Sequence, residues 1–390
     1  MARICVIVYT DYPADTRVRR AAEALADRGD DVVVICPMTP SLKGRTEVSG
    51  VKLQPIKSFG YSKAMSPREY IKRYATFVAA AGARSLRLHL RRRFDLIHVH
   101  TMPDFLVFAA IGPRLLGAKV ILDVHDLMPE LYASKFGLPE SHWVIRGLKL
   151  VERLSVRFAN RAVAVHQPHL DALVEHGNPA DKFTIVMNLP DPAMFRRRAN
   201  GGQADDFTFV YHGMVGTRNG LDVAVKAAAL ARDDIPGLRL RIMGDGDDFA
   251  RVRELVDELG VAETVRLEQG LRPIEEVIPD LEAATVGVVP IVDDPFTKYM
   301  LPVKLLEYVA LGMPVIASST STIRAYFSDS MLAFTVPGDA MALAGQMVEL
   351  YRDPERRHNL ATEADTFTAE HNWPREKTRY YQLVDSMVGA

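Results

Sequence analysis

Apolar runs of strand length alternate with amphipathic segments of helix length along the first half of the chain. RICVIVY (3–9) is followed by a helix over about 16–28, then DVVVIC (31–36) and VKLQPI (51–56). FDLIHVH (94–100), a helix after Pro103, AKVILDV (118–124), a long helix over 143–158, RAVAVH (161–166) and KFTIVM (182–187) continue the series. Near-continuous Val/Ile/Leu strands separated by helices predict a parallel sheet covered on both faces, the doubly wound α/β arrangement.

A polar stretch at 196–206 (RRRANGGQADD) breaks the pattern and reads as a linker or surface loop. Alternation restarts with FTFVYH (207–212), a helix from about 219, LRLRIM (238–243), a helix after Gly246 and TVRLEQ (264–269). A helix after Pro273, ATVGVVP (284–290), a helix from about 301 and MPVIAS (313–318) complete it. The expected organisation is α/β throughout, with two doubly wound, Rossmann-like parallel-sheet domains, 1–195 and 206–372, facing a cleft. A terminal helix within 373–390 is expected to pack back on the first domain. Ligands of open parallel sheets sit outside the carboxyl ends of the strands, so the informative residues are those just after each strand.

At 390 residues the chain is long enough for two such cores. It has 48 Lys/Arg against 49 Asp/Glu, 48% hydrophobic and 25% charged residues, the proportions of an ordinary globular protein, which excludes a disordered or dedicated nucleic-acid-binding chain. MARICVIVYT runs directly into a strand, and no run of about 18 uncharged apolar residues occurs, so a cytoplasmic location is expected. Cys5 and Cys36 each lie inside an apolar strand, as reduced thiols behaving as small hydrophobes.

TDYPADTRVRR (10–20) follows the first strand where a dinucleotide enzyme would place glycines; none is present, which argues against hydride transfer. Asp15 or Thr16 can cap the helix, Arg19 and Arg20 read as solvated, and Asp11 and Arg17 lie nearest the strand end. VILDVHDLMPE sets His125, Asp126 and Glu130 after another strand, with the histidine suited to proton handling or a polar clamp. His98 and His100 share a strand face, but no third ligand is near in sequence, and no metal is expected.

YHGMVGTRNGLD (211–222) turns through Gly213, Gly216 and Gly220 into a helix, with Arg218 in the turn. Glycines admit close backbone approach, helix amides are electropositive, and Arg adds a charged fork, so this is the strongest phosphate-binding candidate. IMGDGDD repeats the pattern at Gly244 and Gly246, although its aspartates suit a helix cap or a ribose hydroxyl better. In KYMLPVKLLEYVALGMPVIAS, Pro302 stands near a first helical turn, and Lys304 and Glu307 share one helix face.

Taken in order, the DxR after the first strand, FDLIHVHTMPD, VILDVHDLMPE, VMNLPD, HGMVGTRNGLD, IMGDGDD and KLLEYVALGMPVIAS resemble the glycosyltransferases of family 4, retaining enzymes of the two-domain GT-B fold. The likeness covers essentially the whole chain. It implies that the second domain holds a UDP- or GDP-sugar and the first presents an acceptor, a lipid-linked or polysaccharide precursor, with no metal and no nucleic acid involved. Glu307 matches the second glutamate of the family's Glu-x7-Glu motif and would hold ribose. Leu301, Pro302 and Val303 would offer backbone to the donor, and Arg218, with Lys304, would neutralise the diphosphate. His125 matches the family's cleft histidine near the transferred sugar, and Gly270, Leu271 and the residues to Pro273 would frame the base. Asp11, Arg17, Asp126 and Glu130 fall on the acceptor side. Two positions depart from the pattern: Tyr299 stands where the first glutamate is expected, with Asp293 or Asp294 as substitutes, and the basic residues of the phosphate turn reduce to Arg218. A GT-B epimerase or hydrolase, and a non-catalytic sugar-nucleotide-binding protein, are the alternatives.

The near-zero net charge conceals an asymmetry. Residues 1–195 carry +8 and the remainder -9, and residues 61–93 alone account for +8. Arg73, Arg84, Arg87 and Arg91 fall on one helical stripe, with Tyr70, Tyr74, Phe77 and Leu88 beside it, which suits the inner face of an anionic membrane; a solvated face over the core is the alternative.

Overall fold

The computed structural model describes residues 1–57, 67–198 and 207–389, and divides into two compact units. Unit 1 comprises Met1–Asn188 with Pro374–Ala390, and unit 2 comprises Leu189–Trp373. Unit 2 therefore begins seven residues before the polar stretch at 196–206, most of which lies outside the described residues.

Among the described residues, unit 1 has an eight-stranded sheet in the order β3-β4-β2-β1-β5-β6-β7-β8. Its strands are β1 (Arg3–Ile7), β2 (Asp31–Pro37), β3 (Glu47–Val48), β4 (Val51–Ile56), β5 (Leu96–His100), β6 (Lys119–Asp123), β7 (Arg161–Ala164) and β8 (Phe183–Ile185). Every pairing is parallel except β3 with β4. The buried ICVI, DVVVICP and LIHVH runs explain this, since strands covered on both faces need no polar alternation. The helices are α1 (Thr16–Asp27), α2 (Pro67–Arg91), α3 (Ile111–Leu115), α4 (Met128–Phe136), α5 (Trp143–Phe158) and α6 (Gln167–Glu175). Asp15, one of the two expected caps, accepts from the Val18 amide and starts α1.

Unit 2 has a six-stranded, wholly parallel sheet in the order β11-β10-β9-β12-β13-β14. Its strands are β9 (Thr208–Met214), β10 (Arg239–Asp245), β11 (Val265–Gln269), β12 (Val286–Val289), β13 (Val315–Ser318) and β14 (Ala333–Thr335). Helices α7 (Leu221–Ala231), α8 (Phe249–Glu258), α9 (Ile274–Ala283), α10 (Val303–Ala310), α11 (Ser321–Tyr326), α12 (Ala340–Arg352), α13 (Pro354–Glu363) and α14 (Asp365–Glu370) cover it. Among the parallel strands of each sheet the order reverses once, between β1 and β5 and between β9 and β12, and these are the switch points at which open α/β sheets bind ligands.

The last helix, α15 (Trp373–Val388), returns to unit 1, where Tyr380, Leu383 and Val384 join the core of Ile4, Val6 and Val34. Glu376 accepts from the Met187 amide at 2.9 Å and fixes its approach. No helix among the described residues is long and apolar enough to cross a membrane.

Candidate active site

At the switch point of unit 2 the last residues of β9 meet one face of α10. His212 Nε2 lies 2.7 Å from Glu307 Oε2, and its Nδ1 lies 2.9 Å from the Tyr308 hydroxyl. The tautomer that satisfies both is Nε2–H, donating to the carboxylate while Nδ1 accepts from Tyr308. His212 thus orients Glu307, a role the sequence reading missed; the signal available was a polar residue closing a buried strand just before a glycine. Lys304, one helical turn from Tyr308, donates to the Tyr211 hydroxyl with its Nζ 3.7 Å from that ring's centroid. Burial, offset only in part by Glu307, lowers its ammonium to about 7. Gly213 stands beside it with φ 108°, a left-handed backbone that calls for glycine, and a Cβ there would be in ordinary contact, 3.5 Å from Lys304 Nζ.

Arg218 lies in a single 3-10 turn, Thr217–Asn219, with its guanidinium 5.1 Å above the Phe296 ring. It pairs with no carboxylate among the described residues. Pro302 caps α10, whose first intrahelical bond runs from Leu305 N to Pro302 O, so the Val303 and Lys304 amides have no acceptor within the helix. This site therefore concentrates unneutralised positive potential beside one oriented carboxylate.

Some expected donor-side residues serve the fold. A Cβ on Gly244 would sit 1.8 Å from Gly213 O, so that glycine is required by the neighbouring strand rather than by an anion. The Gly216 and Gly246 amides already donate to Asn219 Oδ1 at 3.3 Å and Asp245 Oδ1 at 2.9 Å. The Gly270 amide donates to Gly244 O at 3.0 Å, so 270–273 lie beside the strand end, with Leu271 exposed. Of the two aspartates expected as substitutes for the first glutamate, Asp294 caps the Phe296 and Thr297 amides at 2.8 and 2.7 Å, whereas Asp293 is exposed. Tyr299 lies in the next turn, its ring 4.8 Å from Lys298 Nζ. Elsewhere in unit 2 a cavity of about 350 Å³, lined by Leu189, Phe195, Arg197, Leu306, Phe367 and His371, contains none of the expected residues.

In unit 1 the charged groups pair with one another. Arg17 donates to Asp123 Oδ1 at 2.6 Å, and His100 Nδ1 lies 3.2 Å from Asp123 Oδ2. Burial opposes ionisation of Asp123, but Arg17 and the neighbouring His100 outweigh it and hold the carboxyl well below its usual range. His98 accepts or donates at 2.8 Å with Tyr380 of α15. His98, His100 and Asp123 have donor atoms within 4.8 Å of one another, so the third ligand absent nearby in sequence does exist. Arg17 nevertheless already neutralises that carboxylate and would repel a cation.

His125 lies beside this network, its Nδ1 4.0 Å from Asp123 Oδ1, and burial, then Arg17, pushes its imidazole below its ordinary value. Asp126 is half-buried next to it. Asp11, expected on the acceptor side, accepts from Thr39 and Ser41 at 2.7 and 2.5 Å and braces the turn after β2. Arg19 pairs with Glu23 and Arg20 donates to Asn188, so neither is simply solvated. Glu130 needs a larger correction: it is buried and bonded to His176 Nε2 at 3.0 Å, with Glu152 on Nδ1 at 3.0 Å. Burial alone would lower His176, but the two glutamates raise it to about 9, making a buried ion triad.

The basic segment divides similarly. Residues 61–66 and the Tyr70 side chain lie outside the described residues. Phe77 is buried, and Tyr74 packs edge-on against Tyr9 and Phe105, so these aromatics face the core rather than a membrane. Arg84 donates to Gln54, while Arg87 and Arg91 are exposed.

These arrangements match known families. Residues 14–188 match the glycosyl transferase 4-like domain, and residues 206–353 match the glycosyl transferases group 1. The D-inositol 3-phosphate glycosyltransferase of Thermobispora bispora is 28% identical over 75% of this chain and 70% of its own. In structure the chain is similar to sucrose-phosphate synthase from Thermosynechococcus elongatus, with TM-score 0.80, 21% identity and 99% of each chain covered. It is also similar to Anabaena HepE in complex with UDP-glucose, with TM-score 0.75, 15% identity, and 99% and 100% covered. The chain belongs to the GT-B glycosyltransferases of the family-4 type, and it is a transferase.

Proposed function

We propose that the protein is a retaining hexosyltransferase that takes a sugar from a UDP- or GDP-sugar in unit 2 and passes it to a lipid-linked or polysaccharide precursor held by unit 1, at the inner face of an anionic membrane. The observation that carries this reading is the pairing of an oriented carboxylate, Glu307 on His212, with the unneutralised Arg218, Lys304 and α10 amides at one switch point. A nucleoside diphosphate supplies what each lacks: ribose hydroxyls for the carboxylate and two phosphates for the cations.

As the bond from the anomeric carbon to the diphosphate oxygen breaks and the acceptor oxygen bonds to that carbon, negative charge grows on the leaving diphosphate. Fixed cations there stabilise the transition state more than the ground state. Arg218 and Lys304 do this without a metal in our reading, and the leaving group finally carries the acceptor's proton. His125, neutral through burial, is the unit 1 group assigned to the reacting sugar, with Asp126 beside it.

The test is to incubate the protein with a panel of UDP- and GDP-sugars and measure free nucleotide with and without lipid-linked acceptors. Acceptor-dependent release is expected. Acceptor-independent conversion would replace the reading with an epimerase or hydrolase, and binding without release would replace it with a non-catalytic role.

A further inference from the structure

One surface of unit 1 has features that neither the fold nor the donor site uses. On α5, Trp143 is 77% exposed, and Leu150 and Leu154 are also exposed. At 100° per residue these three fall within a narrow stripe, since 143, 150 and 154 are two and three turns apart. Arg146, Arg153 and Arg157 border the stripe on one side, and Arg146 and Arg157 are exposed. The helix contains one acid, Glu152, which points inward to His176 and so places no negative charge on this face.

The surface continues onto α3. The Arg114 guanidinium lies 4.6 Å over the Phe158 ring and joins the two helices. Beyond it Ile111, Leu115 and Leu116 are exposed, Leu115 to 83%. Large apolar side chains rarely gather on one exposed face without a partner. Here they combine with a tryptophan, a border of arginines and a lack of surface acid along the helix. A protein partner of ordinary composition needs no such charge bias, whereas an anionic bilayer attracts the arginines and accepts the tryptophan and leucines at headgroup depth.

We infer that the face formed by α5 and α3 is the membrane-docking surface of this protein, with an anionic bilayer as its occupant. It takes the place of the aromatic stripe of α2, whose Phe77 and Tyr74 are turned to the core. The inference rests on the proposed function only for its purpose, placing the acceptor-binding unit at a lipid surface, and its test uses neither donor nor acceptor.

The chain has two tryptophans, and Trp373 is buried, so Trp143 reports on this face. Vesicles of phosphatidylcholine with about one third phosphatidylglycerol are titrated into the Trp373→Phe protein, following emission wavelength and co-sedimentation at low salt. The expected result is a blue shift, quenching by brominated lipid, and partitioning that falls at least tenfold in Leu150→Ser/Leu154→Ser and in Arg146→Gln/Arg157→Gln. Both double variants change exposed residues, and unchanged thermal melts establish that they fold. Binding left intact in both, or lost instead with Arg87→Gln/Arg91→Gln, overturns the assignment. So does concentration-dependent self-association in sedimentation velocity that the Leu150/Leu154 changes abolish, which would assign the face to a second copy of the chain. Nucleotide release with a soluble acceptor, measured on the same preparations, separates failure of docking from failure of the glycosyltransferase reading.

Discussion

The two switch points place similar residue types at equivalent places in similar sheets, yet they handle charge in opposite ways. In unit 1, Arg17 and His100 flank the Asp123 carboxylate, and Glu130 and Glu152 flank His176. In unit 2, His212 orients Glu307, but Arg218 has no carboxylate partner among the described residues and Lys304 rests on a tyrosine. A self-paired network stabilises and positions, whereas an unneutralised one has lowered affinity for its own charge and gains when an anion arrives. Loss of a charge should therefore destabilise unit 1 but weaken ligand binding or turnover in unit 2.

The largest effect expected is in unit 1. Asp123→Ala strands the Arg17 guanidinium in a buried setting and should lower unfolding free energy by about 3–5 kcal/mol. Urea melts check this, and a loss below about 1 kcal/mol would show that the pair is not structural. Next comes Arg218→Ala, which should leave those melts unchanged and reduce transfer on the order of 100-fold; wild-type turnover would remove Arg218 from the diphosphate site. A smaller effect is expected from His212→Phe. Losing a hydrogen bond to a charged group costs about 1.5–3 kcal/mol, so donor KM should rise roughly tenfold or more while acceptor KM stays constant.

The pH dependence sharpens the contrast. His176 is raised above its unfolded value, so its contribution is fully present below about pH 6.5 and is lost as pH rises through about 9. Melting temperature should fall over that interval, and His176→Gln should flatten the fall.

Much of the fold is legible in the sequence because buried parallel strands read as unbroken apolar runs, as DVVVICP and VGVV do. The edge strands β3 and β14, of two and three residues, are too short for any period to register. The site is less legible. Glycine turns and strand ends locate Arg218, Lys304 and Glu307, but pairing is a tertiary property. Glu130 looks like a strand-end acid until His176, 46 residues later in the chain, closes on it. His98 finds Tyr380 across 282 residues. Gly244 carries the composition of a phosphate loop for a reason that belongs to sheet packing. Residue type and local position reveal where chemistry can occur, and only the partners decide which groups are left for it.

The central claim is that unit 2 leaves cationic charge for a nucleoside diphosphate to neutralise, with Lys304 held near neutrality by burial until it does. Calorimetric titration of UDP and GDP at pH 8.0, in buffers of different ionisation enthalpy, tests this most directly. The account predicts that one of the two binds with net proton uptake, that Lys304→Met abolishes the uptake, and that Arg218→Ala weakens binding of the diphosphate but not of the free nucleoside. Binding without proton uptake, and with equal affinity in both variants, would contradict it.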